Sequence, residues 1–323
     1  MTGREIVRAT LYFEDPPRYA YSFPDEYGSD FYGSGMDPSP DARRSNGTDE
    51  WGCRWASLAN TFLGEVYDHP LKSWDDLSSL AIPDFMREDR WERMKYARAE
   101  AGGRYLTADV CSMYERLHFL RGLENLLCDV VLERERLTQL LNLIADYNVA
   151  AIERYAAYGV DAIFFCDDWG LQDRLMIDPE AWREIWKPAY KKAFGAAHAY
   201  GMDCFLHSCG YITDILDDLI EIGLNAIHMD QQENMGLAAL GERFAGRLTF
   251  YSCVDIQQTM ARGSAEDVRA YAREMGRLLG TKKGGFIPRW YTDPAGAGHS
   301  RENIDAMCDE FLKMSAEREN ARR

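Results

Sequence analysis

His207-Ser208-Cys209 sets an imidazole and a thiol two residues apart at the end of an apolar run, Met202–Leu206. If that run is a strand continuing through Cys209, both side chains point to the same face. Zinc accepts nitrogen and sulfur donors of this kind, and a catalytic zinc site takes three protein ligands and keeps a fourth position open. The competing reading is a buried cysteine beside a hydrogen-bonded histidine. For the third ligand the sequence suggests Cys253, at the end of another apolar run, with Cys166 and Asp168 as rivals. Asp167 and Asp168 alternate in any extended segment, so only one of the two faces a common site. A carboxyl buried there without a cationic partner has a raised pKa and serves as an acid or base, and these two are the candidate catalytic residues. The other reading is a carboxylate that accepts backbone hydrogen bonds. Trp169, Gln231, Trp290 and Tyr291 are the candidate substrate-binding residues, the aromatics as walls of an apolar pocket. His198, His228 and His299 are read as structural.

These residues share one kind of position. After Gly159, short apolar runs each end in polar residues and lead through a helix to the next run: Val160–Cys166, Met202–Leu206, Leu224–Met229, Leu248–Val254 and Gly285–Pro288, with Tyr105–Cys111 as an earlier member. Runs apolar on both faces and separated by helices predict a parallel sheet. Helices are expected over 83–101, 115–127 and 133–158, and from Asp178-Pro179-Glu180, an N-cap followed by a first-turn proline, to about Tyr200. The fold class predicted is α/β, a (β/α)8 TIM barrel, with an open doubly wound sheet as the alternative. One domain spans 1–323, with an irregular, proline- and glycine-rich cap over 1–82 and the barrel over 83–323. In such a barrel the active site forms at the C-terminal strand ends, where the polar residues named above fall.

Composition narrows the class. Hydrophobic residues are 46% and charged residues 28% of the 323, a balance that builds a core rather than a disordered chain. The net charge of −16 repels polyphosphates, which excludes nucleic acid as an expected partner. No stretch approaches the ~20 apolar residues of a membrane helix and no signal-type run opens the sequence, so no membrane association and a cytoplasmic location are expected. Eight cysteines scattered without clustering suit reduced thiols.

Several ordered motifs resemble the uroporphyrinogen decarboxylase superfamily. They are Leu120-Arg121-Gly122-Leu123-Glu124, Gly159-Val160-Asp161 through Asp167-Asp168-Trp169-Gly170, Asp178-Pro179-Glu180 with Lys187-Pro188, His207-Ser208-Cys209-Gly210, Asp230-Gln231, Val254-Asp255-Ile256-Gln257 and Gly284-Gly285-Phe286-Ile287. The resemblance implies a (β/α)8 barrel and often a homodimer. The decarboxylases themselves carry an Arg-Gln-Ala-Gly-Arg-type segment that grips substrate carboxylates, and the corresponding Pro16-Pro17-Arg18-Tyr19-Ala20-Tyr21 lacks it. The cobamide-dependent methyltransferase branch uses zinc held by a His-x-Cys pair and a later cysteine. His207 and Cys209 match the first two, while Gly284 to His299 contains no cysteine, which leaves Cys253, an acid or His299 to complete the site, or no zinc. No Asp-x-His-x-x-Gly corrinoid loop is present, so the resemblance implies a corrinoid carried on a separate protein. The function expected is methyl transfer between a small-molecule donor, such as a methoxylated aromatic, or a thiol acceptor and that corrinoid protein. A decarboxylase and a non-catalytic corrinoid or metal carrier are the alternatives.

Overall fold

The computed structural model describes residues 1–39, 47–57 and 64–322. Nine strands occur among them: β1 (Phe31–Gly33), β2 (Arg54–Ser57), β3 (Gly64–Asp68), β4 (Tyr105–Asp109), β5 (Ala162–Cys166), β6 (Asp203–His207), β7 (Ala226–Met229), β8 (Thr249–Ser252) and β9 (Phe286–Pro288). Seven form one sheet in the order β1-β4-β5-β6-β7-β8-β9, parallel throughout, and β2 and β3 pair as a separate antiparallel ribbon. The apolar runs are strands because they are buried on both faces: every residue of β8 and β9 is buried. Helices such as Pro179–Ala199, which opens on the Asp178 N-cap, cover the outer face.

The sheet is curled. Phe31, Tyr105, Ala162, Phe205, Ala226, Tyr251 and Ile287, one residue from each strand, share a single interior cluster that the helix Gly3–Leu11 closes from below with Ile6, Val7 and Leu11. Phe31 and Tyr251 stack with centroids 5.2 Å apart. Their strands stand five positions apart, which in a flat sheet at about 4.8 Å per strand would separate them by about 24 Å.

The expected eighth strand does not appear among the described residues. Between β9 and β1 there is a bridge at Ser22, whose N–H donates to Pro288 O at 3.0 Å and whose carbonyl accepts from Trp290 N at 3.0 Å. Pro24, which lacks an N–H, turns the chain two residues later and prevents a longer ladder. The barrel is therefore a seven-stranded curled sheet.

Three other expectations need correction. The cap is not wholly irregular, since it holds the helix Gly3–Leu11, with a Thr2/Glu5 capping box, and the first sheet strand. Part of the cap, 40–46 and 58–63, lies outside the described residues. The helix expected over 83–101 reduces to a 3-10 turn, Glu88–Trp91, and a helix, Met94–Ala101. Arg90 is buried there and donates to Asp37 O at 3.0 Å, Asp84 O at 3.1 Å and Glu50, so tertiary bonds override the helical pattern. The helix expected over 115–127 is two, Tyr114–Arg121 and Leu123–Leu132, broken at Gly122, where φ is +80° and a Cβ would meet His69 at 3.2 Å.

Candidate functional site

The loops leaving β5 and β6 interlock through two glycines. Gly170 N donates to Cys209 O at 3.1 Å, Tyr211 N to Leu171 O at 2.7 Å, and a Cβ on Gly210, where φ is +75°, would lie 2.2 Å from Gly170 O. Around this contact Cys209 N donates to Asp168 Oδ1 at 2.8 Å, Trp169 N to Ser208 Oγ at 3.0 Å, and Gly210 N to Gln231 Oε1 at 2.9 Å. These bonds carry the chain past the end of β6. The strand stops at His207 rather than continuing through Cys209, yet Cys209 Sγ comes within 3.4 Å of His207 Nε2. Asp168 Oδ1 lies 3.3 Å from the same nitrogen. The ligating atoms of Asp168, His207 and Cys209 all fall within 4.8 Å of one another.

The neighbouring histidine sets the ring's protonation. His207 Nδ1 and His228 Nδ1 are 2.8 Å apart, so one of them carries the shared proton. Burial, then the positive charges of Arg289 and His207, drive the pKa of His228 well below the usual range and keep it neutral. A proton on His207 Nδ1, donated to His228 Nδ1, leaves His207 Nε2 facing Cys209 and Asp168. This is the orientation by an outer hydrogen bond that metal-ligating histidines use. For His207 burial lowers the pKa, but the Asp168 hydrogen bond and the charges of Asp230 and Asp168 outweigh it and leave the pKa raised. For Asp168 burial acts upward, and the bonds from His207 and Cys209 N–H bring the net shift below the usual carboxylate value. Burial, reinforced by Asp168 and Asp230, pushes the Cys209 thiol far up. A cation among these donors reverses that push, since a metal-bound thiol is deprotonated. Nitrogen, sulfur and carboxylate oxygen converging on one side of an oriented imidazole fit zinc.

A second donor group, His207, His228 and Asp230, offers the unpartnered His228 Nε2, 3.6 Å from Asp230 Oδ1, but is a poorer cation site because buried Arg289 already pairs with that oxygen. Cys253, the expected third ligand, belongs to neither group. Its thiol is buried and donates to Asp230 Oδ1 at 3.2 Å, which directs it toward the Arg289–Asp230 pair.

The remaining candidates divide sharply. Asp167 turns away from the mouth and accepts from Met113, Tyr114 and Glu115 N–H at 3.0, 2.7 and 3.0 Å and from the Tyr190 hydroxyl at 2.5 Å, anchoring the start of the helix Tyr114–Arg121 that follows β4. Burial raises its pKa to about 6 against those bonds. Asp167→Ala is therefore expected to cost roughly 2–4 kcal/mol of stability, read by urea unfolding, because it orphans several donors to a charged acceptor; an unchanged midpoint would free Asp167 for a chemical role. Trp169 is fully buried against Trp182, Trp186 and Tyr190 and does not wall the site. Gln231 braces the Cys209-Gly210 loop through the Gly210 N–H. Trp290 packs on the core beside Ser22, outside the lining of the mouth cavity, whereas Tyr291 lines it. That cavity, of about 680 Å³, is also lined by Phe164, Cys166, His207, His228 and Arg289.

Sequence reasoning places Arg289 at the end of the last strand without giving it a role, sets His228 aside as structural, and uses Glu115 only as a helix start. Burial, then the charges of Asp167 and Asp168, push Glu115 to about 8, which makes it a neutral proton donor near the site at pH 7. The pairing of His207 with His228 across β6 and β7 is the signal that register alone supplies.

A curled parallel sheet flanked by helices, with titratable side chains gathered at its C-terminal strand ends, is a TIM-like α/β fold. The chain belongs to the uroporphyrinogen decarboxylase (URO-D) family, whose model matches residues 64–288. A comparison with curated proteins returns no match. Among solved structures it is similar to a methyltransferase from Methanosarcina mazei, with a TM-score of 0.70 and 16% identity over 97% of this chain and 99% of that one. A D-psicose 3-epimerase from Clostridium cellulolyticum H10 superposes with a TM-score of 0.44 and 10% identity over 96% of this chain and 93% of that one. Among the described residues no helix is long and apolar enough to cross a membrane.

Proposed function

We propose that this protein is the methyltransferase component of a corrinoid-dependent system, moving a methyl group between a small-molecule donor or thiol acceptor and a separate corrinoid protein. The observation that carries this reading is the convergence of Asp168, His207 and Cys209 at the mouth of the barrel. These three residues hold zinc, with Asp168 as the third ligand. Bound zinc supplies a Lewis acid for a methoxy oxygen or lowers the pKa of a thiol, easing loss or uptake of the methyl group. His228 fixes the His207 tautomer, and the buried Arg289–Asp230 pair sets a fixed dipole at the cavity wall. The corrinoid protein docks over the cavity formed by the strand ends.

The similarity to a methyltransferase over 97% of this chain and 99% of that one fits this reading. So does Arg18: the guanidinium of the stretch aligned with the carboxylate-gripping segment is taken up by Asp30 through two bonds of 2.6 Å each. The test is methyl transfer to cob(I)alamin from a panel of methoxyarenes and methyl thioethers by zinc-loaded protein. At least one donor class is expected to methylate cobalt, and turnover of porphyrinogen with no methyl transfer would overturn the proposal in favour of the decarboxylase.

A further inference from the structure

A second cavity of about 310 Å³ adjoins the first, walled by Trp51, Tyr147 and Tyr155 and by the loop that follows β1. Asp109, the last residue of β4, lines both cavities. Its backbone is held, since the Tyr155 hydroxyl donates to Asp109 O at 3.2 Å. Among the described residues its carboxylate meets no hydrogen-bond donor and no cation. Solvent reaches the side chain, yet surrounding protein raises its pKa and burial is the sole cause. The carboxylate stands at the junction of the two cavities, open to solvent and flanked by protein. Of the guanidinium groups that line the second cavity, Arg116 pairs with Asp49 at 2.8 Å, and Arg93 donates to Gly35 O at 3.1 Å and stands 3.6 Å from Asp37. An acceptor left without a partner in a partly desolvated site is completed by a donor from outside.

We propose that the two cavities are arms of one ligand site and that Asp109, at their junction, receives a hydrogen-bond donor of the ligand, a hydroxyl or an ammonium group. The ligand's apolar part occupies the aromatic-walled arm. This deepens the methyl-transfer reading by naming the substrate class, and it rests on that reading only for the direction in which the ligand extends, toward His207 and Cys209. A free carboxylate on the ligand is disfavoured at this junction, because it would meet the like charge of Asp109.

Isothermal titration of zinc-stripped and zinc-loaded protein tests this with four probes: 2-methoxyphenol, benzylammonium, methoxybenzene and benzoate. One of the two donor-bearing probes is expected to bind at least about tenfold more tightly than methoxybenzene, with benzoate weaker still. Asp109→Ala is expected to erase that advantage while leaving methoxybenzene affinity unchanged. Asp109→Asn separates the two sources, since it keeps an acceptor oxygen for the phenol but removes the charge that holds the ammonium group. Thermal unfolding guards against a folding defect: Asp109→Ala breaks no side-chain bond of the fold and is expected to melt no lower than the parent. Donor-bearing probes that bind no better than methoxybenzene, or an advantage that survives Asp109→Ala, would overturn the proposal. Failure of the methyl-transfer reading registers separately, as absence of zinc and of transfer with probe binding intact.

Discussion

His207→Ala and Cys209→Ala proteins are expected to bind zinc more than about 100-fold more weakly than the parent and to lose methyl transfer while remaining folded. Removing an outer residue that only orients a ligand costs about 10–100-fold in metal affinity, and loss of a ligand exceeds that. His228→Phe supplies the lower benchmark, because it removes the acceptor 2.8 Å from His207 Nδ1 without removing a ligand, and its loss is expected to fall within that 10–100-fold range. Neither ligand side chain supports a helix or a strand ladder, so both alanine variants stay folded in the absence of metal, with a loss of about 1–3 kcal/mol in His207→Ala, which leaves the buried His228 Nδ1 without its partner. Competition with a chelator of known affinity, run beside circular dichroism, reads both quantities. Equal zinc affinity in Cys209→Ala would remove Cys209 from the centre.

Gly210→Ala is expected to be the most damaging single methyl group in the chain. The added Cβ would sit 2.2 Å from Gly170 O, and the residue would hold φ at +75°. The positive φ alone costs about 1–2 kcal/mol for an L-residue. A backbone oxygen cannot rotate aside, so the loops leaving β5 and β6 must part, which carries Asp168 away from Cys209. A total loss of about 4 kcal/mol or more is expected, with zinc affinity falling in step. Gly201→Ala is the control: φ there is +72°, but nothing lies within 4 Å of the added carbon. Guanidinium unfolding of both variants separates overlap from backbone strain, and similar losses in the two would show that the glycine contact does not hold the site together.

Strand positions were legible because each strand is apolar on both faces and ends in polar residues. Val160–Cys166 against the observed Ala162–Cys166, and Leu224–Met229 against Ala226–Met229, differ only in where pairing begins. The first sheet strand was not legible, since Phe31-Tyr32-Gly33 is three residues long in a glycine-rich stretch and is a strand because it pairs with Tyr105, Leu106 and Thr107. The same limit applies to Arg90, whose burial depends on carbonyls at 37 and 84 that no local pattern connects. At the site, the convergence of His207 and Cys209 followed from spacing, although a glycine-locked loop delivers it rather than an extended strand. The choice of Cys253 rested on its place at a strand end. Every strand end faces the mouth in projection, but depth differs, and Cys253 lies down on Asp230 and Arg289 while Asp168 reaches the imidazole. His228 looked structural because it stands alone in sequence; only the register of β6 against β7, which pairs residue 207 with residue 228, gives it a role.

Zinc K-edge X-ray absorption on protein reconstituted with one equivalent of zinc tests the ligand assignment most directly. Asp168, His207 and Cys209 predict a single sulfur at about 2.3 Å with nitrogen and oxygen donors at about 2.0–2.2 Å, and the sulfur contribution disappears in Cys209→Ala but persists in Cys253→Ala. Two sulfur neighbours, a signal lost in Cys253→Ala, or no zinc retained after desalting would contradict the account.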